Sequence, residues 1–510
     1  MFNKFIKKFD GKRYTTKGMQ FGCPESEGEV VLNSEIKLEE VFFDPFDVFE
    51  KLGRESFLLI GRKGSGKSAY ANFLTLKSSQ DAELFCDFIT RSDIELEKIV
   101  TKLESIDANI NHEVLFKWII YTKLISLIVQ DESLNGTEEV QLLVKFFNKN
   151  RKMIEIDNTK LESIKSSEEI KIEPEYLRRY LGVGYKNSSE IFRKPAPFYE
   201  LIEVLEDIIK QLFSKYNSTQ NTYALFMDDL DIKFSINDEN NMESLTNLIR
   251  VTRDINNRIL GRIYPNIKVI LLLRDDIAQF IKDRGGADTA KIISSYGIWL
   301  NWYEGGKGNP INLLKLVNER IKIAFKKRSL DLNELDPWSA LIDEGSFDGN
   351  KVAFKYLLDH TFYRPRDLIL ILRALGRHDF EIPVKKYDVN RALSDFFEET
   401  ISEVRNELAC AYSNNEIDSI ISVLDSVSQK GVSNIYGYEL LDIIKDKLRE
   451  RDPLNVAKEL FNYSFIFNIG SDGKKYFKCR ESDIEGKKYD FNLELQVGVH
   501  PAIALYFVRY

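Results

Sequence analysis

Ser56-Phe57-Leu58-Leu59-Ile60-Gly61-Arg62-Lys63-Gly64-Ser65-Gly66-Lys67-Ser68 is the stretch on which the reading of this chain turns. Its first part is a short apolar run, the pattern of a parallel strand buried on both faces. Its second part fits G-x-x-x-x-G-K-[ST], and Ser68-Ala-Tyr-Ala-Asn-Phe-Leu-Thr-Leu76 follows with helical spacing. Strand, glycine-rich turn and helix together are the context the pattern requires. The residue types have a chemical reason. Gly61, Gly64 and Gly66 let the backbone curl, so that N–H groups from Ser65 to Ala69 face negative charge at a helix N-terminus. Lys67 reaches the β- and γ-phosphates, and the Ser68 hydroxyl joins the shell of a Mg2+ ion. The plainer alternative is a glycine turn ahead of an ordinary helix. The pattern predicts that Gly61, Gly64, Ser65, Gly66, Lys67, Ser68 and Ala69 bind ATP with Mg2+.

Outward from this loop, Leu84–Ile89, Thr222–Met227 and Ile267–Leu273 read as further strands, with a helix between about Met242 and Leu260. Strands alternating with helices predict an α/β fold around a parallel sheet. Thr222–Met227 runs into Asp228-Asp229-Leu230-Asp231. A buried strand ending in acid delivers carboxylate to a metal beside a phosphate loop, so Asp228 is the expected Mg2+ ligand and Asp229 the residue that polarises water. Asp231 reads as a helix cap or solvated acid. Leu273-Arg274 closes another strand. Arg274 either senses the γ-phosphate or pairs with Asp275 or Asp276. Arg364-Pro365-Arg366-Asp367 opens an apolar helix, where proline and aspartate suit a first turn but two arginines oppose the dipole. Arg366 is the expected phosphate contact.

The remaining chain divides by pattern. An N-terminal arm (1–45) places Phe2, Phe5, Ile6 and Phe9 on one face of a short basic helix and reads as a packing or partner-docking segment ahead of a membrane-surface contact. The nucleotide-binding core follows (46–309), with a polar helical insertion at about 131–195. A helical lid (310–384) leads to a winged-helix-like domain (385–510), whose hairpin turns at Gly470-Ser-Asp-Gly473. The chain has 510 residues, 43% hydrophobic and 30% charged, with a net charge of -8, the balance of a globular protein without a generally basic surface. Cys23, Cys86, Cys410 and Cys479 lie far apart, which speaks against a zinc site and fits a cytoplasmic setting. Trp118–Val129 is too short to span a bilayer and is interrupted by Lys123. The four histidines have no ligand spacing.

Together, Gly61–Ser68, Met227-Asp228-Asp229, Leu273-Arg274 and Tyr363-Arg364-Pro365-Arg366-Asp367 resemble, in kind and order, the AAA+/STAND branch of P-loop ATPases. Over about residues 40–440 the chain is similar to bacterial relatives of the origin-recognition ATPases, several of them in anti-phage defence islands. The resemblance implies that Lys67 and Ser68 bind nucleotide and Mg2+, that Asp228 and Asp229 form the acidic motif, and that Arg274 and Arg366 are the two sensors. Tyr363 stands where many relatives have glycine, and the inter-subunit arginine is left among Arg284, Arg320 and Arg328.

Three functions follow: a switch or oligomeric scaffold controlling a protein effector, a DNA-associated ATPase, or a polypeptide-threading motor. No aromatic pore loop is evident around 90–100. From Tyr387 to Tyr510 there are 15 Lys+Arg against 21 Asp+Glu, a net of -6. That balance disfavours a grip on phosphate backbone, despite the cluster Lys474-Lys475-Tyr476-Phe477-Lys478-Cys479-Arg480 with Lys487-Lys488 behind it. The switch acting on an effector and on copies of itself is the leading expectation.

Overall fold

The computed structural model describes residues 14–89, 112–149, 198–216, 220–228, 239–303, 311–330, 332, 336–347, 352–409, 411–429, 435–481 and 489–508. The expectations for the first thirteen residues, for 150–195 of the insertion, for Asp229 and Asp231, for the region 90–100 and for Lys487-Lys488 lie outside them. The chain divides into two compact units. One comprises Phe46–Gly61 and Tyr70–Trp299; the other comprises Met1–Pro45, Arg62–Ala69 and Leu300–Tyr510.

The first unit has five strands, β1 (Leu58–Ile60), β2 (Leu84–Ile89), β3 (Thr222–Met227), β4 (Ile267–Leu273) and β5 (Gly297–Trp299). They pair in the order β2-β3-β4-β1-β5, every pair parallel. Four of these strands match the apolar runs in the sequence. The fifth is only three residues long and leaves no such run. Burial of the runs drives the sheet: Leu58, Leu59, Ile60, Leu225, Phe226, Val269 and Leu271 have no measurable exposure. Helices α1 (Lys67–Ser78), α2 (His112–Ile128), α3 (Phe198–Lys215), α4 (Glu239–Arg253), α5 (Asp275–Arg284) and α6 (Ala287–Tyr296) accompany it. The run Trp118–Val129 falls largely in α2, whose Phe116, Ile119, Ile120 and Leu124 enter the same core. The result is a P-loop-like α/β fold.

One polar residue completes the sheet. β1 meets β4 only from Leu271 onward, so the backbone of Val269 faces no strand on that side. Asn256 fills the place: its Nδ2 donates to Val269 O at 2.8 Å and its Oδ1 accepts from Val269 N at 2.9 Å. A π-helical turn, Asp254–Ile259, carries this side chain. The buried backbone pair is thereby satisfied, as burial requires.

The second unit is mainly helical: α7 (Ile311–Lys327), α8 (Pro365–Arg377), α9 (Lys386–Leu408), α10 (Asn414–Gln429), α11 (Gly437–Lys447), α12 (Pro453–Asn462) and α13 (Pro501–Phe507). A small sheet joins β6 (Ile435–Tyr436), β7 (Ile466–Ile469), β8 (Lys475–Tyr476) and β9 (Gln496–Val499) in the order β6-β9-β7-β8. All its pairs are antiparallel. The expected hairpin is β7–β8, turned with a Gly470 N to Lys474 O bond of 2.9 Å and Gly473 at φ 74°. The expected lid and C-terminal domain both lie in this unit. Among the described residues, no helix is long and apolar enough to cross a membrane.

Candidate functional site

In the first unit, sheet order brings three chemically marked positions to neighbouring strand ends. β4 lies between β3 and β1, with Met227 beside Leu271 and Ile60 beside Leu273. Gly61, Asp228 and Arg274 therefore follow the carboxyl ends of adjacent strands, where ligands of open α/β sheets bind. Gly61 N donates to Leu273 O at 3.1 Å, and Asp228 N donates to Ile89 O at 3.0 Å. Asp228 is buried. Arg274 makes a two-pronged pair with Asp276, Nε to Oδ1 at 3.0 Å and Nη2 to Oδ2 at 2.6 Å. Of the two readings left open for Arg274, this is the local pairing.

The loop itself belongs to the second unit. Gly64 has φ 80° and Gly66 φ 96°, conformations that disfavour any side chain. A Cβ on Gly64 would also stand 2.9 Å from Arg366 Cβ. Lys67 opens α1 and donates from Nζ to Arg62 O at 3.4 Å. Three consecutive carbonyls are held from one side. Lys63 O accepts from Arg364 Nη1 at 3.0 Å, Gly64 O from Arg366 N at 3.3 Å, and Ser65 O from Trp302 Nε1 at 2.9 Å. Among the described residues no hydrogen bond uses the N–H of Gly64 or Gly66, and the buried hydroxyl of Ser65 has no partner. Carbonyls tied outward and donors left unused fit a phosphate group. The Ser68 hydroxyl of the loop and, in the first unit, the Asp228 carboxylate are each hard oxygen donors of the kind Mg2+ takes. Among the described residues there is no group of three or more His, Cys, Asp or Glu that could hold a metal by itself.

The two arginines that flank Pro365 are held in different ways. Arg366, the expected phosphate contact, directs Nη2 to Glu403 at 2.9 Å and to Glu25 at 3.4 Å, and meets the loop through its backbone N–H. Arg364 supplies the side-chain contact. It is buried, and burial alone would weaken its hold on the proton. Asp367 at 2.9 Å and Glu407 at 3.0 Å outweigh that and raise its pKa. Arg364 therefore stays charged and joins Lys63, Asp367 of α8 and Glu407 of α9. In the sequence Arg364 is marked only as one of two arginines that oppose the helix dipole beside Pro365. Nothing local in the sequence marks Trp302.

Tyr363, in the glycine position of the resemblance, has φ 56°. The left-handed backbone is the reason glycine suits this place, and a side chain there costs roughly 1–2 kcal/mol. The ring is held in compensation. Tyr303 packs edge-on at 5.2 Å, Arg480 lies 5.1 Å from its centroid, and Lys355 Nζ donates to its hydroxyl at 2.7 Å. Among the three arginines considered for action across subunits, Arg320 is taken out: it is buried on Glu29 and Phe21 O. Arg284 lies over the Phe280 ring, and Arg328 donates to Lys17 O at 3.2 Å.

The basic cluster of the hairpin is engaged within its own unit. Lys474 pairs with Asp472 at 2.9 Å, Lys478 with Glu481 at 2.7 Å and Arg480 with Asp359 at 3.3 Å, while Lys475 lies over the Phe467 ring. On α10, Asp418 pairs with Arg405. Glu416 pairs with Arg451, a bond that pushes its pKa down to about 2.

Residues 311–405 match the family model described as the FunZ-associated C-terminal helical domain. The chain is also similar to two solved structures of the Aeropyrum pernix ORC2 protein. The ADPNP-ADP complexes show 11% identity and a TM-score of 0.35 over 91% of this chain and 90% of that one. The ADP form shows 12% identity and a TM-score of 0.29 over 85% and 86%. No curated protein matches. The fold class rests on the strand order and pairing.

Proposed function

We propose that this chain binds and hydrolyses ATP with Mg2+ and acts as an AAA+/STAND-type switch that controls a protein effector, assembling with further copies of itself. The observation that carries the reading is the loop Gly61–Ser68. It stands between β1 and α1 with Gly64 and Gly66 at positive φ and the Ser65 hydroxyl buried without a partner. Lys67 neutralises phosphate charge, Ser68 and Asp228 hold Mg2+, and Asp229 orients water. Arg274 and Arg366 act as sensors after exchanging Asp276 and Glu403 for the γ-phosphate. The match of residues 311–405 to the FunZ-associated domain supports an effector partner, and on this reading that partner responds to the nucleotide state. The acidic C-terminal region and its internally paired hairpin cations support a protein partner over DNA. Mass photometry with ATP, ADP and no nucleotide tests the switch. Different size distributions or partner occupancies are expected, and identical ones in all three states would contradict it.

A further inference from the structure

We propose that Arg62 is a positioning residue that ties the conformation of the phosphate loop to the junction of α12 and β7, so that nucleotide held by the loop is registered at residues 463–469. This rests on the nucleotide-binding reading and goes beyond it. The loop motif leaves the identity of residue 62 open, so its side chain is available for another task.

The junction is built to receive a cation. α12 ends in a reciprocal pair of bonds, Phe465 N to Leu460 O at 2.9 Å and Ser464 N to Phe461 O at 2.8 Å, with Ser464 at φ 62° where glycine is usual. These bonds satisfy two of the helix's last carbonyls and leave that of Tyr463 at its negative end. Arg62 Nη2 donates to Tyr463 O at 2.6 Å, capping a helix whose C-cap residue lies 401 residues later in the chain. Its Nη1 reaches Ser464 Oγ at 3.3 Å, and the same hydroxyl accepts from Cys479 N at 2.7 Å. Ser464 is wholly buried. One hydroxyl thus gathers the phosphate loop, the end of α12 and the turn after β8. Two residues further on begins β7, which lies inside the small sheet with β9 on one side and β8 on the other.

The loop is also held on its backbone. With the carbonyls of Lys63, Gly64 and Ser65 bonded to Arg364, Arg366 and Trp302, a change in the loop's peptide planes is resisted there and shifts the base of the Arg62 side chain. Coupling of this kind is reciprocal, so order at the junction also favours the nucleotide-bound loop.

Hydrogen exchange on the full chain, with and without saturating Mg-ADP and Mg-AMP-PNP, tests the proposal. In the unsubstituted protein nucleotide should slow exchange at 463–469 by about fivefold or more. Arg62→Ala should bind nucleotide and protect α1, yet show little change at 463–469, and Arg62→Lys should restore part of it. Ser464→Gly suits the positive φ and removes the accepting hydroxyl, so it should fold and weaken the response. Full nucleotide-induced protection of 463–469 in Arg62→Ala would overturn the proposal. Binding without any change there in the unsubstituted protein would overturn the coupling alone. Absence of nucleotide binding would overturn the ATP reading and the coupling with it.

Discussion

The parallel sheet buries whole runs of side chains, Leu58–Ile60 and Ile267–Leu273 among them, whereas the antiparallel sheet is fastened by polar groups. Arg62 and Ser464 fix the start of β7. Asn468 exchanges two bonds of 2.9 Å with Asn492 beside it. His500 caps α13 by accepting from Ala502 N at 3.2 Å. Apolar burial tolerates trimming in proportion to the atoms removed. Polar fastenings fail more abruptly, because the partner left behind is a buried, unsatisfied group.

Arg364→Ala gives the largest expected effect. It strands Asp367 and Glu407 as buried carboxylates, and urea unfolding should show a loss of about 3–5 kcal/mol. A loss below about 1 kcal/mol would mean that the pair is solvated and that the polar unit is not fastened as described. Leu59→Ala in β1 trims the parallel sheet at a position with no exposure, and about 2–5 kcal/mol should be lost by the same measurement. A markedly smaller loss would show that the sheet collapses around the gap.

The third effect is a slope with pH. His500 is buried and stacked on Phe362 at 4.3 Å, and its Nε2 has no partner. Burial first, then the charges of Arg480, His360, Arg62 and Arg364, lower its pKa well below 6.5. The unfolded chain therefore takes up this proton before the folded one. The stabilisation is complete above about pH 6.5 and falls as the pH drops toward the folded value. Stability measured against pH should decline below about 6.5 in the native sequence and decline less in His500→Gln. Equal slopes would remove His500 as the cause.

The same contrast explains what the sequence discloses. Strands of the parallel sheet are legible because a strand covered on both faces is written as a contiguous apolar run. β6 and β8, with two residues each, are too short to carry a period, and β5 starts at Gly297 without a contiguous apolar run ahead of it. In the loop, the glycines and Lys67 are legible because phosphate chemistry demands them at fixed spacing. Arg62 and Trp302 are not, since each donates to a partner hundreds of residues away and nothing local in the sequence marks it, and for Arg364 the local signal, a cation opposing the helix dipole, does not single it out from Arg366. Arg366 meets the loop through its backbone N–H, while Arg364, buried between Asp367 and Glu407, meets the Lys63 carbonyl with its side chain. Tyr363 departs from glycine where the backbone is left-handed, and contacts with Tyr303, Arg480 and Lys355 hold it there.

ATP binding by the loop after β1 underlies the proposed switch. Equilibrium dialysis with ATP and Mg2+, followed by phosphate release on the same samples, tests it most directly. The unsubstituted chain should bind ATP, and Lys67→Ala should lose both binding and turnover. Asp229→Asn should bind ATP while turnover falls by ~10²-fold or more. ATP binding by Lys67→Ala equal to that of the unsubstituted chain would contradict the account.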